Sequence, residues 1–186
     1  MLFILVGVIA AGGLLFFSDE VGASVGNSDI SNKYDLLFIK HANAYGFDWK
    51  ILKRIAWIES RIGEYKSVKL GISNPKNIKD SVSYDGLSWG IMQTTLATSR
   101  DYDATANEEK LNNPDYSIKI GAAHYAFLRR SYPTFKERDL VMSYNHGQGN
   151  QLRFLQKEKE GTLLPTEYFW GRDYWSKYNK ARGLIP

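Results

Sequence analysis

The sequence predicts a mainly helical domain with at most a small β element, preceded by an N-terminal hydrophobic helix. Three observations carry that expectation. Segments with helix-capping starts and Gly or Pro stops follow one another along the chain. No βαβ alternation and no internal repeat interrupts them. Residues 2–17 contain no charged side chain. The chain has 186 residues, 44% hydrophobic and 14% aromatic. That is enough apolar material for one compact core plus a terminal appendage.

Leu2 to Phe17 reads LFILVGVIAAGGLLFF. As a helix it would span about 24 Å, slightly short of a full hydrocarbon core. Two alternatives stand. One is an uncleaved transmembrane anchor, which is favoured slightly. The other is a signal segment with Val21 and Ala23 as small residues before cleavage at Ser24. Either exports the remainder. Residues 18–32 are rich in Gly, Ser, Asn and Asp and read as a flexible linker. The expected organisation is therefore 1–17 anchor or signal, 18–32 linker and 33–186 folded domain.

Within the domain, Ser31 and Asn32 suit the N-cap of a helix from Lys33 to about Tyr45, closed by Gly46. Asp48 then caps WKILKRIAWIESRI, closed by Gly63. Residues 64–85 show no sustained period and read as a long loop, with room for a short strand pair near 67–72 and 81–84. Thr94 and Thr95 follow Gly90 to Gln93 as caps for a short helix to about Arg100. Asn113-Pro114 opens a strong helix to about Tyr132, stopped by Pro133. Further helices are expected over 137–144, 149–160 and 166–181.

Composition narrows the function. The absence of Cys removes disulfides, thiol catalysis and Cys-ligated zinc. Three His (His41, His124, His146) without HExxH spacing give no zinc-hydrolase signature, so no metal or cofactor is expected. The net charge of +4 suits an approach to anionic polymers. The basic residues are scattered, with only short patches at 65–69 and 76–79, so nucleic acid is not the expected partner. The 12 Tyr and 5 Trp suit sugar stacking, but helix packing is the commoner use of such residues.

Glu59 is the informative residue. At about 100° per residue, Leu52 lies about 20°, Ile55 about 40° and Ala56 about 60° away from it around the helix. Glu59 thus sits on the apolar stripe, near the helix C-terminus. Lys50, Lys53, Arg54 and Arg61 are expected to face solvent. A carboxylate on an apolar face is costly unless paired or protonated. Desolvation and the negative helix end both favour the protonated form. A Glu in that state can serve as a general acid. On position alone, a structural Glu bonded to a loop amide or an Arg is an equal alternative.

Four motifs tip the balance. They are Glu59-Ser60 at the end of an apolar helix, and Ser88-Trp89-Gly90-Ile91-Met92-Gln93. They continue with Asn113-Pro114 through Ile118, Gly121 and Tyr125, and with Ser143-Tyr144-Asn145-His146-Gly147. In order and spacing, over roughly 49–147, they resemble the lytic transglycosylase family, the soluble lytic transglycosylase-like catalytic domain. That family shares a lysozyme-like fold with goose-type lysozyme. The tail at 174–178 resembles the family's closing aromatic helix only loosely. The resemblance implies Glu59 as the single catalytic acid. It implies Ser60, Ser88, Met92, Gln93, Tyr125, Tyr144 and Asn145 as groups along the saccharide groove. The departures are a longer loop between Glu59 and Gly90, Thr95 at a position where many relatives carry Met, and His146 at a usually small residue.

The implied substrate is the peptidoglycan glycan strand, and the implied activity is cleavage with closure of a 1,6-anhydro ring. A true hydrolase would pair Glu59 with Asp85, although Tyr84-Asp85-Gly86 also reads as a plain turn. A non-catalytic wall-binding assembly protein and a membrane-anchored nucleic-acid binder are the alternatives from other classes. A tethered enzyme of this size suits local wall opening for a secretion, conjugation or virion assembly, acting from the membrane into the periplasm or cell exterior.

Overall fold

The computed structural model of the protein describes residues 32–64 and 87–186, with the backbone alone over 165–172. The expected N-terminal hydrophobic helix, most of the linker, the long loop with its strand pair, and Asp85 lie outside the described residues. Among the described residues no helix is long and apolar enough to cross a membrane.

The elements run α1 (Asp35–Asn43), α2 (Trp49–Ser60), β1 (Ser88–Trp89), β2 (Thr94–Thr95), α3 (Leu96–Arg100), α4 (Glu108–Asn112), α5 (Pro114–Ser131), α6 (Glu137–His146), α7 (Gln148–Glu160) and α8 (Pro165–Leu184). The mainly helical expectation holds, and the described sheet is one antiparallel pair with Ser88 opposite Thr95 and Trp89 opposite Thr94. Helix α4 was not foreseen. Asn107 starts it by accepting from the Lys110 amide at 2.9 Å, and two acidic residues occupy its first turn.

Helix α5 is the central element. Asn113 caps it through the Tyr116 amide at 3.2 Å, with Pro114 at its start. Ile118, Ile120, Ala122, Ala123, Tyr125, Ala126 and Leu128 are all buried along it, so it is covered on most sides. Helices α1, α2, α4 and α6 pack against it, and α8 closes over α2 and α6. The core gathers Phe38, Leu52, Ile55, Met92, Ile118, Tyr125, Val141 and Tyr178. Truncating one of these large apolar side chains would cost about 2–5 kcal/mol.

Helix α1 begins later than expected. Asn32 does not cap it, because its side-chain oxygen accepts from Lys53 Nζ at 2.9 Å. That contact belongs to a larger correction on α2. Lys53 and Arg54 do not face solvent and are 3% and 9% exposed. Lys53 also pairs with Asp35 at 2.7 Å. Arg54 donates from Nε and Nη2 to the Ile185 carbonyl at 3.1 and 2.9 Å. The turn before α1 and the chain end after α8 cover the face that a solitary amphipathic helix would leave wet.

Candidate active site

Helix α2 starts on Asp48, whose carboxylate accepts from the Lys50 amide at 2.9 Å. It ends at Ser60, directly after Glu59. The next three residues, Arg61, Ile62 and Gly63, all have positive φ, at 54°, 59° and 83°. For a β-branched residue such as Ile62 that backbone is strained. The strain is held by burial of Ile62 and by Ser60. The Ser60 hydroxyl donates to the Ile91 carbonyl at 2.7 Å and accepts from the Gly63 amide at 2.8 Å. Ser60 therefore fastens the end of the Glu59 helix to the turn between β1 and β2.

That turn is Gly90 to Gln93. Gly90 has φ +74°, and a Cβ there would collide with the Leu111 carbonyl. Only glycine fits both demands. Gln93, at φ +46°, closes the turn with its side-chain amide on the Gly90 carbonyl at 2.7 Å. Met92 lies flat on Gly121 of α5, where a Cβ would come within 2.8 Å of its side chain. Its amide donates to Ser117 Oγ at 3.2 Å, and its carbonyl accepts from Tyr144 Oη at 3.1 Å. The turn is thus bolted to α2, α5 and α6 at once.

A cleft of about 370 Å³ opens beside it, lined by Glu59, Ser88, Gln93, Thr94, Thr95, Thr98, His124, Tyr144, Asn145, Gly147 and Gln148. Of the residues expected from sequence, Glu59, Ser88, Gln93, Tyr144 and Asn145 meet there. Ser60, Met92 and Tyr125 do not line it. They are buried to 1%, 0% and 1% exposure and hold the walls. Tyr125 instead packs on Phe47, with ring centroids 5.1 Å apart. Among the described lining residues Glu59 is the only carboxylate.

Glu59 is half-buried, and Tyr174 of α8 donates its hydroxyl to Glu59 Oε1 at 2.6 Å. Burial pushes the Tyr174 and Tyr144 phenols well above their usual value, and the Glu59 charge adds to both shifts. Both stay protonated at any working pH, so Tyr174 acts as a donor to the carboxyl. His124, also in the cleft lining, is pushed down to about 4 by burial and is neutral near pH 7. Its Nδ1 lies 2.9 Å from Tyr102 Oη. The Tyr102 phenol is itself pushed up to about 12, chiefly by burial. His146 is not among the lining residues and pairs its Nε2 with Gln151 Oε1 at 2.8 Å.

Sequence reasoning did not select Tyr174, His124, Thr98 or Gln148. His124 could have been found. It is a polar side chain inside an otherwise apolar stretch of α5, one step around the helix from Tyr125. Tyr174 was marked only as part of the aromatic tail at 174–178, and nothing local ties it to Glu59, 115 residues away.

The arrangement offers one carboxyl with a fixed neutral donor, set in a cleft lined mostly by polar side chains. It is a geometry suited to proton transfer at a glycosidic oxygen. Comparisons with known proteins agree. Over 127 residues the chain is 27% identical to the peptidoglycan transglycosylase gp16 of Escherichia phage T7. That stretch is 66% of this chain and 8% of the phage protein's length. Residues 36–163 match the transglycosylase SLT domain, from the start of α1 through the end of α7, and the chain therefore belongs to that family and carries a lytic transglycosylase-like enzyme domain.

Proposed function

We propose that the protein cleaves the β-1,4 bond between N-acetylmuramic acid and N-acetylglucosamine in peptidoglycan, forming a 1,6-anhydro-muramic end, with Glu59 acting first as acid and then as base. The observation that carries this reading is the Glu59 carboxyl in the cleft wall, accepting the Tyr174 hydroxyl at 2.6 Å.

Most glycosidases place a second carboxylate across the scissile bond. Here the substrate supplies the nucleophile. With Oε1 accepting from Tyr174, the acid proton belongs on Oε2. Glu59 gives it to the linking oxygen as the bond to the muramic C1 breaks. Positive charge grows at C1 and is eased by the substrate's own acetamide and by cleft oxygens. The ionised Glu59, now with the Tyr174 hydroxyl on a full charge, takes the proton of the muramic C6 hydroxyl. That oxygen closes on C1, and Glu59 returns to its starting state. Atoms balance without water or a cofactor. Ser88, Gln93, Tyr144 and Asn145 are the groups proposed to hold the saccharide, with Gln93 and Tyr144 themselves fixed through Gly90 and Met92.

The apolar stretch over 2–17 supports delivery of this domain to the wall side of a membrane, as an anchor or a signal. The match to a phage transglycosylase supports action outside the cytoplasm and a role in local wall opening.

Mass spectrometry of products from purified sacculi tests the proposal, with wild type and Glu59→Gln side by side. Wild type should release anhydro-ended fragments. Glu59→Gln should lose at least about a hundredfold of that release. Unchanged release from the variant removes Glu59 from the chemistry. Reducing ends in place of anhydro ends would make the enzyme a hydrolase.

A further inference from the structure

We propose that His124 is a saccharide-binding residue of this cleft, donating its Nε2 hydrogen to a hydroxyl or N-acetyl oxygen of the bound glycan while Tyr102 fixes the tautomer that puts the hydrogen there. The inference rests on the reading of the cleft as a glycan site.

His124 follows from the helix geometry of α5. Tyr125 faces the core, and its neighbour, about 100° around the helix, reaches the cleft. The imidazole is held on several sides. Its ring lies 5.2 Å from the Tyr144 ring at an interplanar angle of 59°, and 5.9 Å from the Tyr102 ring at 63°. Its Nδ1 meets Tyr102 Oη at 2.9 Å. Its Nε2 has no hydrogen-bond partner among the described residues.

The tautomer follows from chemistry. Burial keeps His124 neutral down to about pH 4, so the ring carries one N–H. A phenol is the better donor of this pair and an imidazole nitrogen the better acceptor. Tyr102 therefore donates to Nδ1, and the ring hydrogen sits on Nε2. A second polar partner that orients a histidine in this way is a recurrent device. A neutral donor suits an uncharged sugar oxygen. It also adds no positive charge to a cleft in which positive character must grow at the muramic C1.

The test is calorimetric titration of tetra-N-acetylchitotetraose into the full-length Glu59→Gln protein and into the same protein with a second change. His124→Phe keeps the ring and removes the donor, and affinity should fall about tenfold, the worth of one hydrogen bond. His124→Gln returns an N–H near the Nε2 position, and affinity should stay within about threefold of the parent. Tyr102→Phe frees the tautomer and should fall between them. Thermal midpoints are read for each protein. Unchanged affinity in His124→Phe, with the midpoint intact, overturns the inference. Equal losses in Phe and Gln that track a falling midpoint also overturn it, by making His124 a packing residue. A Glu59→Gln parent that does not bind the probe overturns the glycan reading and this inference together. A parent that binds while His124→Phe binds equally well overturns the inference alone.

Discussion

The C-terminal ends of α2 and α6 both bring a polar side chain to the cleft, Glu59 and Asn145, and both helices break within two residues of it. They break by different means. After Glu59 the chain takes three left-handed residues in a row, two of them not glycine. Ile62 is buried there, and Ser60 bonds both the Gly63 amide and the Ile91 carbonyl. After Asn145 the chain turns on Gly147 alone, at φ +80°, with open space where a Cβ would sit. Asn145 itself is exposed. The carboxyl end stores strain that its surroundings must hold, and the amide end does not. Proton transfer needs a carboxyl fixed to within a fraction of an ångström. A sugar-binding amide can follow its ligand.

Among changes that leave Glu59 in place, the contrast puts the largest effect at the bolt rather than in the cleft. Ser60→Ala removes one hydroxyl and leaves the Gly63 amide and Ile91 carbonyl without it in a buried place. The expected loss is about 3 kcal/mol of unfolding free energy. The rate at saturating sacculi should also fall, about tenfold or more, while substrate affinity changes little, because Ser60 does not line the cleft. Denaturant melts and a kcat-against-KM comparison read both. A Ser60→Ala protein with full kcat would show that the strained turn does not position Glu59.

Gly147→Ala is the matching change at the other end. Its φ of +80° and ψ of 148° lie where an L side chain is strained, at a cost of about 1–3 kcal/mol. No atom is struck. The change should therefore raise KM more than it lowers kcat, the reverse of Ser60→Ala. The same split in both variants would erase the contrast between the two ends.

The parts of this site that were legible in the sequence are those governed by local rules. The period of α2 put Glu59 on the inner stripe, and Asn113-Pro114 marked the start of α5. The motif around Gly90 was legible as a motif, yet its side-chain directions were not. Gln93 and Met92 are adjacent, and one lines the cleft while the other lies beneath it. Which of the two faces in depends on φ +74° at Gly90 and on the bare surface of Gly121. The burial of Lys53 and Arg54 was illegible for a different reason. Their covers come from the turn before α1 and from Ile185, 131 residues beyond Arg54. The bond from Tyr174 to Glu59 was illegible on the same ground, although the aromatic tail that carries it was not. Charge on a helix marks solvent only when nothing distant has been folded over it.

The smallest expected effect tests whether the α6 end is as tolerant as it looks. His146 pairs with Gln151, whose amide donates to the buried Asp139 at 3.1 Å. His146→Ala removes one hydrogen bond from that chain and should cost about 1 kcal/mol at pH 7. The backbone carbonyl of His146 still accepts from Asn150, so the start of α7 keeps its tie to α6. Glycan cleavage should stay within about twofold. Acid separates this variant from wild type in a second way. Burial lowers the His146 pKa below its usual value near 6.5, and it lowers that of His124 to about 4. As pH falls through 6.5, the unfolded chain takes protons that the folded protein refuses, so wild type must lose stability with acid. His146→Ala lacks one of those two groups. Its melting temperature should fall less steeply between pH 6.5 and 4, with the remaining slope carried by His124 and, toward pH 4, by Asp103 and Asp115, whose hydrogen bonds hold their carboxyls below the usual range. Equal slopes would mean that His146 titrates freely in the folded protein, and that the α6 end is looser than the Gln151 hydrogen bond implies.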